Sequence, residues 1–373
     1  MLISEQFALD AMCAGLANSE TLFIDTEFVR ERTYYSQLCL VQIAGDDGDV
    51  YAVDMLAGLD YAGFYALINA DALKVMHSAR QDVEIFHLQT GQMPTPLYDT
   101  QIAATFLGLG EQVGYANMIE YFLGVKPCKD QQHTNWARRP LSEAQLQYAL
   151  DDVVHLRNIF PLLQAQLAQL GRQDWANEEM AHIQQVDWII TGVDDLWKRI
   201  KRRSDNPHYL ARLQALTIWR EGEARKANLN RAKIMFDDVL QEIALQNPEN
   251  ASHLSKIKGV NNRALDGGVL DIIIATNAIS PAQCPVLPSF TRLSDTQELR
   301  RDSLRLLLKI IAKQYCISAS TLCDSEALQS ISLGSVASEI LHGWRYEMFG
   351  RAASNFLAGD LAIKYDGDDL VVS

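Results

Sequence analysis

Apolar residues in the first third of the chain follow two different spacings, and together these predict an α/β fold. Four short runs rich in β-branched and aromatic residues predict strands, at residues 22–28, 37–44, 50–54 and 73–77. Apolar positions with helical spacing predict helices near residues 61–69, 80–90 and 99–107. The first three strands follow one another through short connections, which indicates an antiparallel meander before strands alternate with helices. We therefore expect a mixed sheet flanked by helices.

A longer helix is predicted to begin at Ser142. Ser142 and Gln145 have the spacing of a capping box, in which each side chain binds the backbone N–H of the other residue. The apolar positions that follow keep helical spacing as far as Leu156. Polar residues on this helix, among them Tyr148 and Asp152, are therefore held on a regular scaffold.

Strand patterns nearly disappear beyond about residue 170, where helical patterns replace them. A basic cluster at residues 198–203 precedes the turn Asn206-Pro207, where we place a domain boundary. A proline-containing stretch near Pro285 then separates two helical units. The predicted division is an α/β domain, a basic linker and two small all-α domains, at residues 1–170, 171–207, 208–290 and 291–373.

A faint internal repeat supports two related helical units. Residues 232–237 (AKIMFD) resemble residues 319–324 (ASTLCD). We expect a short helix after each terminal aspartate, Asp237 and Asp324.

Composition limits the possible partners and compartments. The chain of 373 residues is long enough for two or three domains. Its formal net charge of -14 argues against a nucleic-acid partner unless bound cations or local basic patches compensate. The six cysteines include no C-x-x-C pair, so neither a zinc site nor a disulfide framework is indicated, and a cytoplasmic location is expected. No apolar run predicts a membrane span, and no secretory signal is recognisable.

Three acidic motifs carry the candidate chemistry. Asp25 and Glu27 end an apolar strand, and because they are two residues apart their side chains project on the same face. Asp82 lies at the start of a predicted helix. Tyr148 and Asp152 are four residues apart and therefore stack on one helix face, which favours Asp152 over Asp151 as a ligand.

Four carboxylates of this kind can hold divalent metal ions. Hard oxygen ligands without histidine or cysteine favour Mg²⁺ or Mn²⁺ over zinc. Two such ions about 4 Å apart can activate water for an in-line displacement at phosphorus. Each motif alone also has an ordinary explanation, as a strand-end pair, a helix-dipole acid or a surface hydrogen bond. The order and placement of all three together favour a metal-dependent phosphodiesterase.

With these motifs, residues 22–160 resemble the DEDD exonuclease superfamily, and the run from Phe23 to Leu38 (FIDTEFVRERTYYSQL) resembles the ribonuclease D family in particular. The segments 97–101 (LYDTQ) and 136–141 (WARRPL) are similar to it as well. A sister branch has histidine where this chain has Gln147, so the tyrosine-type branch is the one resembled. The resemblance implies a ribonuclease H-like nuclease fold.

The resemblance also implies a role for each motif residue. Asp25 would bridge two ions, Mg²⁺ or Mn²⁺, and Glu27 and Asp152 would complete the site that holds the nucleophilic water. Asp82 would act at the second ion, and Tyr148 would position the attacking water.

The helical regions resemble the paired HRDC domains that follow the nuclease in this family. The first is the better match, through residues 216–220 (LTIWR), Asn228 and residues 237–244 (DDVLQEIA). The second is more divergent.

Four further residues are predicted to contact the substrate: Thr26, His77, Arg138 and Arg139. For His77 a structural hydrogen bond is an equal alternative, and the two arginines are either phosphate contacts or solvated. Asp99 is interpreted as a helix N-cap and not as a ligand. The basic cluster at 198–203, with nearby residues such as Arg220 and Arg231, is either a nucleic-acid contact or an exposed face.

The resemblance implies a monomeric, metal-dependent 3′ to 5′ exoribonuclease that removes nucleotides from RNA with a free 3′ end, including tRNA precursors, and releases 5′-mononucleotides. Two alternatives stay open at this point. One is a DNA exonuclease of the same superfamily, and the other is an inactive nucleic-acid-binding scaffold.

Overall fold

The computed structural model describes residues 1–128, 130–185, 193–286, 293–334 and 339–373. Its contacts divide the chain into two compact units. The first unit consists of Met1–Glu27, Cys39–Gln185 and Thr291–Ser373. The second unit consists of Phe28–Leu38 and Val186–Phe290. Among the described residues, no helix combines the length and apolar character needed to cross a membrane.

A six-stranded sheet forms the centre of the first unit, with strand order β1-β4-β3-β2-β5-β6. The strands are β1 (Leu2–Ile3), β2 (Thr21–Val29), β3 (Gln37–Ala44), β4 (Val50–Asp54), β5 (Leu73–Met76) and β6 (Leu97–Asp99). β3 and β4 pair antiparallel, whereas β1 is parallel to β4 and β5 is parallel to both β2 and β6. The predicted mixed sheet is confirmed. β1 and β6 escaped prediction because strands of two or three residues show no periodicity.

Seven helices accompany the sheet in the described part of residues 1–185: α1 (Gln6–Leu16), α2 (Ala62–Ile68), α3 (Arg80–Thr90), α4 (Thr100–Thr105), α5 (Tyr115–Leu123), α6 (Glu143–Leu170) and α7 (Gln173–Ile183). The predicted capping box begins α6. Ser142 Oγ accepts from the Gln145 backbone N at 3.2 Å, and Gln145 Oε1 accepts from the Ser142 backbone N at 3.1 Å. Val153, Ile159 and Leu163 of α6 are fully buried, which fixes the rotation of the helix against the core.

The C-terminal residues Thr291–Ser373 belong to this first unit. A separate domain was predicted for residues 291–373, and the observed contacts do not divide the chain in that way. Helices at Asp295–Tyr315, Ala319–Leu322, Ser325–Ser332, Gly343–Arg345 and Arg351–Ala358 are followed by the hairpin strands β7 (Ile363–Asp366) and β8 (Asp369–Val372). The Trp344 ring meets Phe106 edge-on at 4.9 Å between centroids, and Arg345 pairs with Glu179 at 2.9 Å. These helices bury their apolar faces in the same core as α4, α6 and α7 instead of enclosing a core of their own.

The predicted linker at residues 171–207 is also partly structured. Its first part forms α7, and Ala176 and Met180 of this helix are buried in the core of the first unit. This helix agrees with the helical patterns predicted beyond residue 170, and only a narrow stripe of it is apolar. Residues 186–192, and the predicted boundary between 290 and 291, lie outside the described residues.

The second unit is helical, apart from residues 28–38. Its helices are α8 (Pro207–Ala227), α9 (Arg231–Ile234), α10 (Asp237–Gln246), α11 (Ala251–Leu254), α12 (Asn262–Asp266) and α13 (Val269–Ala278). Asn206 begins α8 as predicted, because its Oδ1 accepts from the backbone N of His208 at 3.0 Å and of Tyr209 at 3.2 Å. Leu213, Leu216, Leu240 and Ile243 lie in its buried core.

Candidate active site

Strand β2 presents the first two acids on one face. Along β2 the side chains of Asp25 and Glu27 are partly exposed, whereas Thr26 between them is buried. This alternation follows from the pleat of the strand, in which successive side chains point to opposite faces. The shared face predicted for Asp25 and Glu27 is therefore observed.

Helix α6 brings a third acid to the same place. Asp25, Glu27 and Asp152 each have a carboxylate oxygen within 4.8 Å of those of the other two. Neighbouring Asp151 accepts instead from the side-chain amide of Gln147 at 2.8 Å. The Tyr148 hydroxyl and the Asp152 carboxylate interact, and each shifts the pKa of the other, so the helical stacking expected for this pair is also present. This geometry suits a cation bound by oxygen ligands.

The fourth acid, Asp82, is placed by α3 and by strand β2. Its carboxylate accepts a hydrogen bond from the Thr26 hydroxyl, which points away from the face that carries Asp25 and Glu27. Asp82 is not among the three acids with mutually close oxygens, but its charge acts on both Asp25 and Glu27. Thr26 therefore orients Asp82, and its predicted substrate contact stays a prediction.

Burial raises the pKa of all four acids, and the charges of acidic neighbours raise it further for Glu27, Asp82 and Asp152. Burial raises the pKa of Asp25 to about 6, and burial together with the Asp25 charge raises that of Asp82 and of Asp152 to about 8. For Glu27, burial and the charges of its three acidic neighbours raise the pKa to about 10. In the ion pairs of the described residues, no Lys or Arg neutralises any of these acids. A set of buried and partly buried acids without a cationic partner has the donor chemistry of a divalent-metal site.

Asp99 fixes the turn that leads into α3. As predicted it caps α4, where its Oδ1 accepts from the Gln101 backbone N at 2.8 Å. The same buried carboxylate also accepts from the backbone N of Ser78 and of Ala79, each at 2.9 Å. Ser78 has a left-handed φ of 57°, which costs energy in a residue with a side chain and is held here by these bonds. This second role was not predicted from the sequence.

His77 and Tyr115 form a layer beside the acids. Both ring nitrogens of His77 have protein partners, Thr100 Oγ1 at 3.0 Å and the Val113 carbonyl oxygen at 3.1 Å. Burial lowers the pKa of His77 to about 4, so the ring is neutral at physiological pH. The Tyr115 hydroxyl donates to the backbone carbonyl of Asp152. Of the two interpretations of His77, the structural hydrogen bond is the one observed.

Arg139 has a structural role in place of the predicted phosphate contact. Its guanidinium makes a bidentate pair with Asp54, at 2.7 and 2.6 Å. Its remaining donors bind the carbonyl oxygens of Cys39, Trp136 and Arg138 at 2.9, 2.7 and 3.0 Å. Because these bonds use every N–H of the guanidinium, none is left for a phosphate. Arg138 is exposed, so its predicted substrate contact stays a prediction.

Most of the basic residues named here in the second unit form ion pairs with acids of the same unit, which their sequence did not indicate. Arg220 pairs with Asp237 at 2.6 Å, and Arg231 pairs with the buried Glu221. Lys198, Arg202 and Arg203 also pair with acids, whereas Arg199 and Lys201 have no ion-pair partner among the described residues. A cavity of about 530 Å³ lies between Arg199 and Phe236, whose side chain is 64% exposed.

Comparison with known proteins identifies the class to which this fold and this acid cluster belong. Residues 1–168 match the family model described as a 3′-5′ exonuclease, and residues 209–273 match the HRDC domain. The second match lies within the first of the two helical regions predicted to resemble HRDC. The protein is therefore a 3′-5′ exonuclease with a C-terminal HRDC domain.

Full-length relatives identify the family. The chain is 37% identical over 370 residues to ribonuclease D of Zymomonas mobilis, covering 97% of this chain and 95% of the relative. It is 39% identical over 371 residues to ribonuclease D of Sphingobium indicum, with the same coverage. Its fold matches the crystal structure of Escherichia coli RNase D with a TM-score of 0.79 and 26% identity, over 96% of this chain and 98% of that one.

The chain belongs to the ribonuclease D family. It is an exoribonuclease that acts on RNA in the 3′ to 5′ direction, and its acidic cluster agrees with the divalent-metal dependence of this exonuclease family.

Proposed function

We propose that Asp25, Glu27, Asp82 and Asp152 hold two divalent ions, Mg²⁺ or Mn²⁺, for the hydrolysis of the 3′-terminal phosphodiester of RNA. The observation that carries this proposal is the cluster of Asp25, Glu27 and Asp152, whose ligand oxygens lie within 4.8 Å of one another. Two bound ions supply an activated water and stabilise the attacking and leaving oxygens at phosphorus. The repulsion that raises the pKa of these acids is what bound cations would relieve.

Tyr148 positions the attacking water in this proposal. Burial and the Asp152 charge raise the pKa of its hydroxyl above the ordinary range, so it stays protonated at neutral pH. A protonated hydroxyl can hold a water by hydrogen bonding but cannot remove its proton. The Asp152 carboxylate interacts with the same hydroxyl, which places the Tyr148 oxygen beside a proposed metal ligand.

We further propose that the substrates include tRNA precursors, that 5′-mononucleotides are released, and that the protein works as a monomer. The match to Escherichia coli RNase D, a protein described as an exoribonuclease involved in structured RNA processing, supports the choice of structured RNA. The cytoplasmic location remains a prediction from the cysteine pattern.

Matched RNA and DNA single strands with a labelled 5′ end test this proposal in Mg²⁺ and in Mn²⁺. We expect stepwise shortening of the RNA from its 3′ end, 5′-mononucleotide products and no reaction in a chelator. Faster hydrolysis of the DNA strand would support the alternative DNA exonuclease. Hydrolysis that persists in the chelator would overturn the metal site.

A further inference from the structure

A short segment that follows the catalytic strand belongs to the helical unit and not to the unit that contains the sheet. Residues 28–38 comprise the end of β2, the connection to β3 and the start of β3. Their contacts group them with Val186–Phe290. The change of unit falls directly after Glu27, the last acid of β2. What holds this segment in the helical unit therefore acts on the chain next to a proposed metal ligand.

The backbone of the segment is bound by the end of α8. Asn228 Oδ1 accepts from the backbone N of Tyr34 and of Tyr35, both at 3.1 Å. The backbone N of Asn230 donates to the Arg32 carbonyl at 3.3 Å. Asn228 ends α8 with a left-handed φ of 48°, a conformation that asparagine tolerates better than most residues. These three hydrogen bonds hold the backbone of residues 32–35 against the end of α8.

The Tyr34 side chain contacts three charged residues, of which Glu221 is buried and Arg225 and Arg231 are partly exposed. Its hydroxyl donates to Glu221 and accepts from Arg225 Nε at 3.0 Å. The guanidinium carbons of Arg225 and Arg231 lie over its ring, at 5.6 and 5.4 Å from the centroid. The Glu221 side chain is only 2% exposed and forms a bidentate pair with Arg231.

A group built in this way resists displacement of the segment. Withdrawal of Tyr34 would leave the buried Glu221 carboxylate with one hydrogen bond fewer and would expose the ring, which is now 8% accessible. The connection between β2 and β3 is therefore fixed near its middle, and the far end of β2 is restrained through the chain.

We propose that Tyr34 and Glu221 are positioning residues for Glu27, so that the HRDC-containing unit contributes to the catalytic step and not only to RNA binding. This inference rests on the proposed function, since it concerns the same metal site. If the helical unit served RNA binding alone, loss of this contact would change the KM for long RNA and leave the turnover of short substrates intact.

The test compares Tyr34→Phe, Tyr34→Ala and Asn228→Ala with the wild type on an RNA dinucleotide. Lys256→Ala is the matched control, because Lys256 is an exposed residue of the same unit outside this contact. We expect kcat to fall about tenfold for Tyr34→Ala and less for Tyr34→Phe, which keeps the ring, while KM changes little. The Mg²⁺ concentration for half-maximal rate should rise several-fold in the same order.

Hydrogen exchange supplies a readout that does not depend on activity. Backbone amides of residues 21–29 should exchange faster in Tyr34→Ala and Asn228→Ala than in the wild type or the control. Folded variants with wild-type kcat, metal requirement and exchange in β2 would overturn the inference. If the wild type fails to cleave the dinucleotide, the proposed function is lost, and exchange in β2 still decides whether the contact restrains the strand.

Discussion

Each of the two units contains a group of carboxylates that are at least partly buried. The surroundings of these carboxylates differ between the two units. In the helical unit, Glu221 is bound by Arg231 and by the Tyr34 hydroxyl, and Arg225 lies 3.9 Å away. In the unit with the sheet, Asp25 and Glu27 face Asp152 and have no ion-pair partner in the described chain. The first group is neutralised by cations of the protein itself, whereas the second can be neutralised by retained protons or, as proposed, by bound metal ions.

The two groups show that burial alone does not identify a functional acid. Burial acts to raise the pKa of both Glu221 and Glu27. The hydrogen bonds and charge of Arg231 reverse this for Glu221, whose pKa is lowered. The neighbours of Glu27 are acids and raise its pKa further, to about 10. The sign of the surrounding charges therefore separates the structural carboxylate of Glu221 from the carboxylate of Glu27, which is proposed to bind metal.

The largest expected effect comes from replacing one acid in each group. Asp25→Asn should reduce RNA hydrolysis about 10³-fold or more, because the proposed bridging ligand is lost. In metal-free buffer the same variant should melt at a higher temperature than the wild type, since a buried repulsive charge is removed. Activity assays and thermal unfolding in a chelator measure these two effects.

Glu221→Gln is the counterpart in the helical unit and should act in the opposite direction on stability. It breaks a pair whose side chains are 2% and 41% exposed, so we expect a loss of about 2 kcal/mol, less than for a fully buried pair. If Asp25→Asn and Glu221→Gln changed the melting temperature in the same direction and by the same amount, the proposed difference between the two groups of carboxylates would be contradicted.

The next effect is a pH dependence confined to the metal-free protein. Folded-state pKa values near 6 for Asp25, 8 for Asp82 and Asp152 and 10 for Glu27 lie above those of an unfolded chain. Stability from the retained protons is complete below about pH 4 and is lost as the pH rises through the folded values. The melting temperature in chelator should therefore fall from about pH 5 to pH 9.

Saturating Mg²⁺ should largely remove this fall, because the ion binds the ionised acids. Asp25→Asn should show a shallower slope in chelator than the wild type. A metal-free melting temperature that rises over this pH range would contradict the assigned charge state.

A smaller effect is expected at Asp99, which holds the entry to α3 and thereby Asp82. Asp99→Asn replaces one acceptor oxygen by an amide that cannot accept from Ser78, Ala79 or Gln101. A displaced Asp82 should lower kcat about 10-fold to 100-fold. Asp60→Asn is the control, since exposed Asp60 likewise accepts from a backbone N–H, that of Ala62 at 3.0 Å. Steady-state kinetics with unchanged kcat would leave Asp99 with a capping role alone.

The smallest effect concerns RNA contact by the helical unit. Arg199 lacks an ion-pair partner in the described chain, and the exposed Phe236 beside it can stack on a base. Arg199→Ala and Phe236→Ala should each raise the KM for long RNA about fivefold, and added salt should reduce the Arg199 effect. Phe7→Ala, which removes an 85% exposed ring from the other unit, is the control. Wild-type KM values in both variants would show that these residues are solvated.

Periodicity predicted the scaffold of the candidate site well. The pleat of β2 predicted that Asp25 and Glu27 share a face, and helical stacking predicted Tyr148 beside Asp152. Both arguments use local backbone geometry, which a sequence specifies directly. The phosphate contact predicted for Arg139 was less successful, because a polar residue type does not show whether its donors are already used. For His77 the structural hydrogen bond, one of the two interpretations, is present, and the substrate contact of Thr26 stays a prediction.

The internal repeat separates what the sequence determines, the position of each helix, from what the tertiary structure determines, the core in which each helix packs. Helices follow Asp237 and Asp324 as predicted, because each aspartate lies in the first turn or at the N-cap. Yet the first helix lies in the core of the helical unit, and the second lies in the core that contains the sheet. The sequence by itself determined the strands, the helices and the acids they carry, through short-range periodicity and capping. Only the tertiary structure decided which apolar faces share a core, and that Arg231 pairs with Glu221 while Asp25 pairs with no cation of the described chain. Those outcomes depend on contacts between residues distant in the sequence.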